Sequence, residues 1–357
     1  MSRKGVKASF GGVRRLHWSS LYPQDSLAVA PTEGRTTVVR GELERRGRRD
    51  KELVALKVVP RLEGEETEVA LGHLADEGVL LASLSPHAYI VPVIGWAMSP
   101  EHVVLVFPWA TGGSLHSLLV GRRTTGAVSS IACATAMLTD ATVGLAALHG
   151  QSVVHGDVNP TNILLYQDDQ GGRGGCGWRG VLADLGCARR LPQVSEESGD
   201  GSGSDVSSED LDLSLWQGTA AYAAPEIFES LTLRLPLTVG LDVYSVGINL
   251  WEVAEWAWGT TGGWVRPFDE YSDDVTSDLQ LLAAVAGRGL RPTFPAQAPV
   301  PLCQLYQRCV AEEASDRPTA DEVVRTLIEH TALANTCDSS PSPASPHSAL
   351  RCHASDP

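Results

Sequence analysis

The chain is 357 residues long, 43% hydrophobic and carries a formal net charge of −15, enough apolar material to bury one two-lobed unit of roughly 250 to 300 residues plus tails. Its basic residues are scattered rather than striped, which argues against a nucleic-acid-binding surface. Seven cysteines, at 133, 176, 187, 303, 309, 337 and 352, form no CxxC pair and leave an odd one over, so neither a disulfide framework nor a zinc site is indicated, and a reducing, cytoplasmic compartment fits.

Arg3, Lys4, Lys7, Arg14 and Arg15 precede the first acid, with no apolar core of signal-peptide length behind them, so residues 1–26 read as a basic flexible leader. Residues 27–60 read as short strands ending in Leu53-Val54-Ala55-Leu56-Lys57-Val58-Val59. An acidic helix follows over Glu65 to Leu84, with Val69, Leu80, Leu81 and Leu84 among its apolar positions. Strands at Ile90–Trp96 and His102–Phe107 complete a small sheet, and residues 112–120 and 129–149 open a helical half. The longest apolar window, Ile131 to His149, is broken by Asp140 and three threonines, so it reads as a core helix and no membrane span is expected. Gln167 to Gly180, with six glycines, reads as a floppy hairpin tip. Ser195 to Asp212 mixes serines and glycines with seven acids and reads as a disordered insert, and residues 331–357, with Ser-Pro repeats, as a disordered tail. Strands with one helix, then helices, predict an α+β protein of two lobes, 27–110 and 111–330, with a cleft between them.

Two features carry chemistry. His155-Gly156-Asp157-Val158-Asn159-Pro160-Thr161-Asn162 sets an Asp and an Asn five residues apart on one loop, and Asp184-Leu185-Gly186 follows after a hairpin. Such a set gathers hard oxygen donors of the kind Mg2+ takes. The second is lysine usage: the chain has only four lysines, at 4, 7, 51 and 57, and every later cation is Arg or His. An apolar strand that keeps Lys57 in such a background needs a compact point charge rather than a planar fork, and Glu77, twenty residues on, is the expected ion-pair partner.

In chain order, Val54-Ala55-Leu56-Lys57, Glu77, His155-Gly156-Asp157 with Asn162, Asp184-Leu185-Gly186, Gly218-Thr219 with Ala224-Pro225-Glu226, Asp242 and Asp316-Arg317-Pro318 resemble the protein kinase family over about residues 27–330. The resemblance implies a two-lobed kinase fold in which Lys57 holds the α and β phosphates of ATP and pairs with Glu77. It makes Asp157 the catalytic base and Asn162 and Asp184 the Mg2+ ligands. It further implies a buried Glu226–Arg317 ion pair, a catalytic loop held by Asp242, and a stacked column of Leu81, Leu185 and His155 linking the lobes. Val38, Ala55 and Leu164 are implied as walls around adenine, with Phe107 a bulky residue closing the pocket behind it. Gly218-Thr219-Ala220-Ala221-Tyr222 is similar to serine/threonine rather than tyrosine kinases.

The Asp-Leu-Gly triplet, Pro267-Phe268-Asp269-Glu270-Tyr271 leading to Gly289-Leu290-Arg291-Pro292-Thr293-Phe294-Pro295, and Val54 to Pro60 resemble kinase domains of the transforming growth factor beta receptor family, including the anti-Müllerian hormone receptor. Plant receptor-like kinases and the tyrosine-kinase-like group share some of this. The implied partners are a protein substrate and, as an alternative, related receptor kinases, which would put the chain at the inner face of the plasma membrane.

Three features depart from the pattern. Aligning Val38 with the Val that closes a Gly-x-Gly-x-x-Gly-x-Val loop puts Pro31, Glu33 and Thr36 at the glycine positions, with Gly34 out of register. Glycines serve there because backbone can approach phosphate closely, and Glu33 would repel a triphosphate. Gly156 replaces the Arg that receives a phosphorylated activation-loop residue. Asn159 replaces a Lys that neutralises the γ-phosphate, a loss of about 2–4 kcal/mol of transition-state stabilisation, roughly a hundredfold to a thousandfold in rate. Two readings follow: an ATP- and Mg2+-dependent serine/threonine kinase with softened catalysis, or a pseudokinase or truncated-receptor scaffold that works by docking.

Overall fold

A computed structural model describes residues 9–24, 36–61 apart from 46, 48 and 49, 65–121 apart from 85, 131–192, 218–228 and 237–337 apart from 262. The N-terminal lobe is a five-stranded antiparallel sheet. Its strands are β1 (Leu21–Pro23), β2 (Thr37–Leu43), β3 (Glu52–Pro60), β4 (Gly95–Met98) and β5 (His102–Pro108), in the spatial order β1-β2-β3-β5-β4. The central pair, β3 and β5, are near-continuous apolar runs because both of their faces are covered. Their register sets Ala55 opposite Phe107 and Lys57 opposite Leu105, while β2 sets Val38 opposite Lys57. One helix, α1 (Glu65–Ser83), packs on this sheet with Leu71, Leu74, Ala75 and Leu81 buried.

The second lobe is helical: α2 (Leu115–Val120), α3 (Ile131–His149), α4 (Gly240–Trp258), α5 (Asp278–Arg288), α6 (Val300–Cys309) and α7 (Ala320–Cys337). Ser114 starts α2 with a capping box to Ser117, which satisfies the free amides of the first turn. Helix α3 is long and apolar enough to cross a membrane, but 72% of its apolar window is buried inside the protein, the signature of a core helix. Two small hairpin-like ladders carry the loops of interest: β6 (Val153–Val154) with β9 (Arg189–Arg190), and β7 (Ile163–Gln167) with β8 (Trp178–Leu182). The loop 155–162 lies between β6 and β7, and Asp184 lies two residues beyond β8.

Four expectations are changed. Residues 9–24 are not a free leader: Phe10, Val13 and Leu21 are buried, and Arg14 and Leu16 bond the main chain of Trp96 in β4. The strand expected at Ile90–Trp96 is only Gly95–Met98, with Ile90 forming a lone bridge to Leu182. The glycine-rich tip of the β7–β8 hairpin is packed, because Arg173 Nε bonds the buried Asp140 Oδ1 of α3 at 2.8 Å and Asp168 N bonds Gly177 O at 2.9 Å. Helix α7 also runs seven residues into the expected tail. The insert expected at 195–212, the remainder of the tail and the loop at 31–35 lie outside the described residues.

Candidate active site

Lys57 projects from β3 as the hub of a three-residue network. Its Nζ donates to Glu77 Oε2 at 2.6 Å and to Asp184 Oδ1 at 2.7 Å, with only 9% of its side chain exposed. Burial by itself lowers an ammonium pKa, but the carboxylates of Glu77 and Asp184 more than reverse it, so Lys57 is held protonated. Burial raises Glu77, which Lys57 opposes. At Asp184 burial is the largest influence and raises the acid, but the Lys57 charge, the Lys57 and Gly186 hydrogen bonds and the nearby His155 together hold it below its ordinary value. The Asp184 side chain is still 49% open to the cleft, so its charge is both paired and reachable.

Asp184 adopts a left-handed conformation, φ 61° and ψ 75°, and Oδ1 also accepts Gly186 N at 3.2 Å. Asp and Asn are among the few residues that tolerate this region. The turn aims one carboxylate oxygen at Lys57 and leaves Oδ2 without a hydrogen-bond partner among the described residues. Asp157 sits across the cleft. Its Oδ1 accepts Thr219 N at 2.8 Å and its Oδ2 accepts Asn162 Nδ2 at 2.9 Å. Each oxygen of an ionised carboxylate has a second acceptor site, so capacity for a substrate hydroxyl remains. Asn162 Nδ2 also donates to Asp157 O at 2.9 Å, which uses both amide hydrogens and leaves Oδ1 for another ligand. Asn162 Oδ1 and Asp184 Oδ2 are hard oxygens of the kind Mg2+ takes alongside substrate phosphates and water. No group of three or more His, Cys, Asp or Glu that could cage a metal occurs among the described residues.

The loop beneath is held by Asp242 of α4, which is fully buried. Oδ2 accepts His155 N at 2.8 Å and pairs with His149 Nε2 at 2.9 Å, while Oδ1 accepts Gly156 N at 2.8 Å. Leu81, Leu185 and His155 are all buried on the path between the lobes. Glu226 and Arg317 form a bidentate pair at 2.7 and 2.8 Å. Val38, Ala55 and Leu164 all keep open surface, Val38 being 60% exposed, whereas Phe107 is buried behind Ala55.

Asn159 and Gly156 have structural work that their sequence context does not reveal. Asn159 Oδ1 accepts from Thr161 N, Thr161 Oγ1 and Asn162 N, and its Nδ2 donates to Asp157 O and to Thr219 Oγ1, each at 3.3 Å. A two-residue-on side-chain turn of this kind is a property of Asn and Asp, not of Lys. Gly156 has φ 78°, and a Cβ there would stand 2.8 Å from Cys187 O, so the loop and the Asp184 turn touch through bare backbone. Sequence reasoning also missed Thr219 as a partner of Asp157, and the buried Glu252, which accepts from Tyr222 Oη at 2.7 Å and from Trp264 Nε1. These contacts join segments 12 to 62 residues apart in no fixed register, so no spacing signals them.

A family model described as the protein kinase domain matches residues 33–327. Among curated proteins, the chain is similar to serine/threonine-protein kinase PkaA of Streptomyces coelicolor, 32% identical over 278 residues, covering 77% of this chain and 42% of that protein. It is 27% identical over 266 residues to serine/threonine/tyrosine-protein kinase HT1 of Arabidopsis thaliana, covering 74% and 57%. It is 26% identical over 286 residues to dual specificity protein kinase shkB of Dictyostelium discoideum, covering 80% and 37%. The chain therefore spans well under two thirds of the length of these relatives.

Proposed function

Because the chain belongs to the protein kinase domain family, we propose that it transfers the γ-phosphoryl group of ATP to serine or threonine hydroxyls of a protein substrate. The observation that carries this reading is the buried Lys57 ammonium bridging Glu77 and Asp184, with the Asp157–Asn162 pair tied beside Asp184 where Ala183 N donates to Asn162 O at 2.9 Å. Lys57 binds the α and β phosphates as a point charge. Asp157 takes the proton of the attacking hydroxyl as its oxygen bonds to the γ-phosphorus, and the bond from that phosphorus to the bridging oxygen breaks to release ADP. Asn162 Oδ1 and Asp184 Oδ2 would hold Mg2+, which neutralises charge on the transferring phosphates when bound. Val38, Ala55 and Leu164 flank the adenine ring, and Phe107 closes the pocket behind it.

Serine/threonine preference rests on Gly218-Thr219 and on the contact of Asn159 Nδ2 with Thr219 Oγ1. A receptor-linked role beside transforming growth factor beta receptor kinases rests only on Asp184-Leu185-Gly186, Pro267–Tyr271 leading to Gly289–Pro295, and Val54–Pro60. Fractionation of cells would separate that membrane-associated role from a cytoplasmic one. A scaffold reading is favoured by one specific observation, the Pro31, Glu33 and Thr36 substitutions in the phosphate loop.

Incubation of the purified chain with labelled ATP, Mg2+ and a generic acceptor protein decides between catalysis and scaffold. Phosphotransfer above an Asp157→Asn control is expected. Transfer equal to that control refutes the enzyme and leaves the scaffold.

A further inference from the structure

Residues 9–16 lie in the angle between α1 and β4. The Phe10 ring is 6% exposed and stacks on Trp96 with centroids 4.4 Å apart and planes 15° apart. It also covers Gly78 of α1, where a Cβ would lie 3.4 Å from ring atom Cδ1. Gly12 sits against Ala82 one turn further along, and Val13 is buried beside them with its amide turned back to Phe10 O at 3.1 Å. A glycine in mid-helix is a poor helix former, and here it is the residue on which the ring rests.

The receiving strand is shaped for the segment as well. Trp96 N donates to Arg14 O at 2.9 Å and Leu16 N donates to Trp96 O at 2.8 Å, while the Arg15 guanidinium stands 5.3 Å over the Trp96 ring. A Cβ at Gly95 would come within 2.5 Å of Arg14 O, so only glycine admits this approach. The residue preceding Gly78 is Glu77, the partner of Lys57. Helix α1 is thus held at two adjacent positions, at Glu77 by Lys57 and at Gly78 by Phe10 together with Leu105 of β5.

We propose that residues 9–16 are a built-in clamp that seats α1 where Glu77 reaches Lys57, with Phe10 as its positioning residue. The chain then carries its own determinant of catalytic competence in a segment that touches neither nucleotide nor substrate. The effect on activity rests on the phosphotransfer reading above; the effect on the helix does not. Because the walls around adenine are not on α1, loss of the clamp changes the fraction of molecules with Glu77 engaged more than it changes the adenine pocket.

Hydrogen exchange and kinetics of the full chain test this together. In Phe10→Ala, amides of α1 between residues 69 and 82 are expected to exchange about tenfold faster while those of α4 are unchanged. The same variant is expected to lose about tenfold in kcat, with KM for ATP within about twofold of the parent. Phe10→Leu, which keeps an apolar plug, is expected to restore most of both. Unchanged α1 exchange in Phe10→Ala overturns the clamp, and so does faster α1 exchange with kcat intact. Where Phe10→Ala also loosens α4, so that the whole fold is weakened, Val13→Ala makes a smaller cut at the same seat, and α1 loosening without α4 is again the expected result. A parent chain without phosphotransfer, combined with selective release of α1 in Phe10→Ala, refutes the catalytic reading and supports the clamp.

Discussion

Replacing Glu226 by Ala is expected to destabilise the second lobe by about 3 kcal/mol. The Arg317 side chain is completely buried, and all five of its N–H groups are used. Nε donates to Ala311 O at 2.9 Å, Nη1 to Glu226 Oε1 and Gly240 O, and Nη2 to Glu226 Oε2 and Glu312 O. Removing Glu226 strips two of the five bonds and leaves a guanidinium without its counter-ion, for which a buried pair costs about 3–5 kcal/mol. Glu226 keeps 19% of its side chain exposed, so water can reach the gap and the lower end of that range applies. With an unfolding slope of about 3 kcal/mol per molar urea, the midpoint falls by about 1 M. The double replacement Glu226→Leu with Arg317→Met removes both charges and is expected to recover most of the loss. A Glu226→Ala midpoint within about 0.2 M of the parent would show that the pair is not what holds this lobe's loop to α4.

Gly156→Ala places a Cβ at positive φ, 2.8 Å from Cys187 O, and is expected to cost about 1–3 kcal/mol, read as a melting temperature lower by several degrees. An unchanged melting curve would mean the loop has room that the structure denies. Asn159→Ala removes the acceptor for Thr161 N and Asn162 N and the donor to Thr219 Oγ1, for about 1–3 kcal/mol by denaturant titration, with a larger fractional loss of phosphotransfer because Asp157 is held by the same loop. Burial raises Glu252 from 4.5 to about 7, against the hydrogen bonds from Trp264 and Tyr222. The folded state therefore binds a proton that the unfolded state releases. Its stability contribution, about 3 kcal/mol, is fully present below pH 4.5 and is lost as pH rises through about 7. Unfolding measured at intervals between pH 5 and 8 should show this fall in the parent and not in Glu252→Gln; parallel curves would refute it.

The two-lobed fold was legible because its signals are local. An apolar strand at 53–59, an acidic amphipathic stretch at 65–84 and an Ala-rich window at 131–149 each state their own element, and the order of strands before helices states the architecture. Lys57, Glu77, Asp157, Asn162 and Asp184 stand out in the sequence because of residue type and spacing, and the structure joins Lys57 to Glu77 and Asp184, and Asp157 to Asn162. What stayed hidden was whatever depends on chain segments meeting without side-chain signature.

Thus residues 9–24 look like a basic leader because five cations precede the first acid, yet Phe10 and Val13 find a seat on α1 and β4 that no window of sequence contains. Asn159 looks like the loss of a charge until Thr161, Asn162 and Thr219 arrive around its amide. Gly156 looks like the loss of an Arg until Cys187 O comes within contact of its α carbon's empty side. By itself the sequence determined the periodic elements and the reactive groups, since both are properties of residue type and spacing. Only the tertiary structure decided which small or polar residues are contact surfaces, since close approach and buried hydrogen bonding are properties of two segments at once.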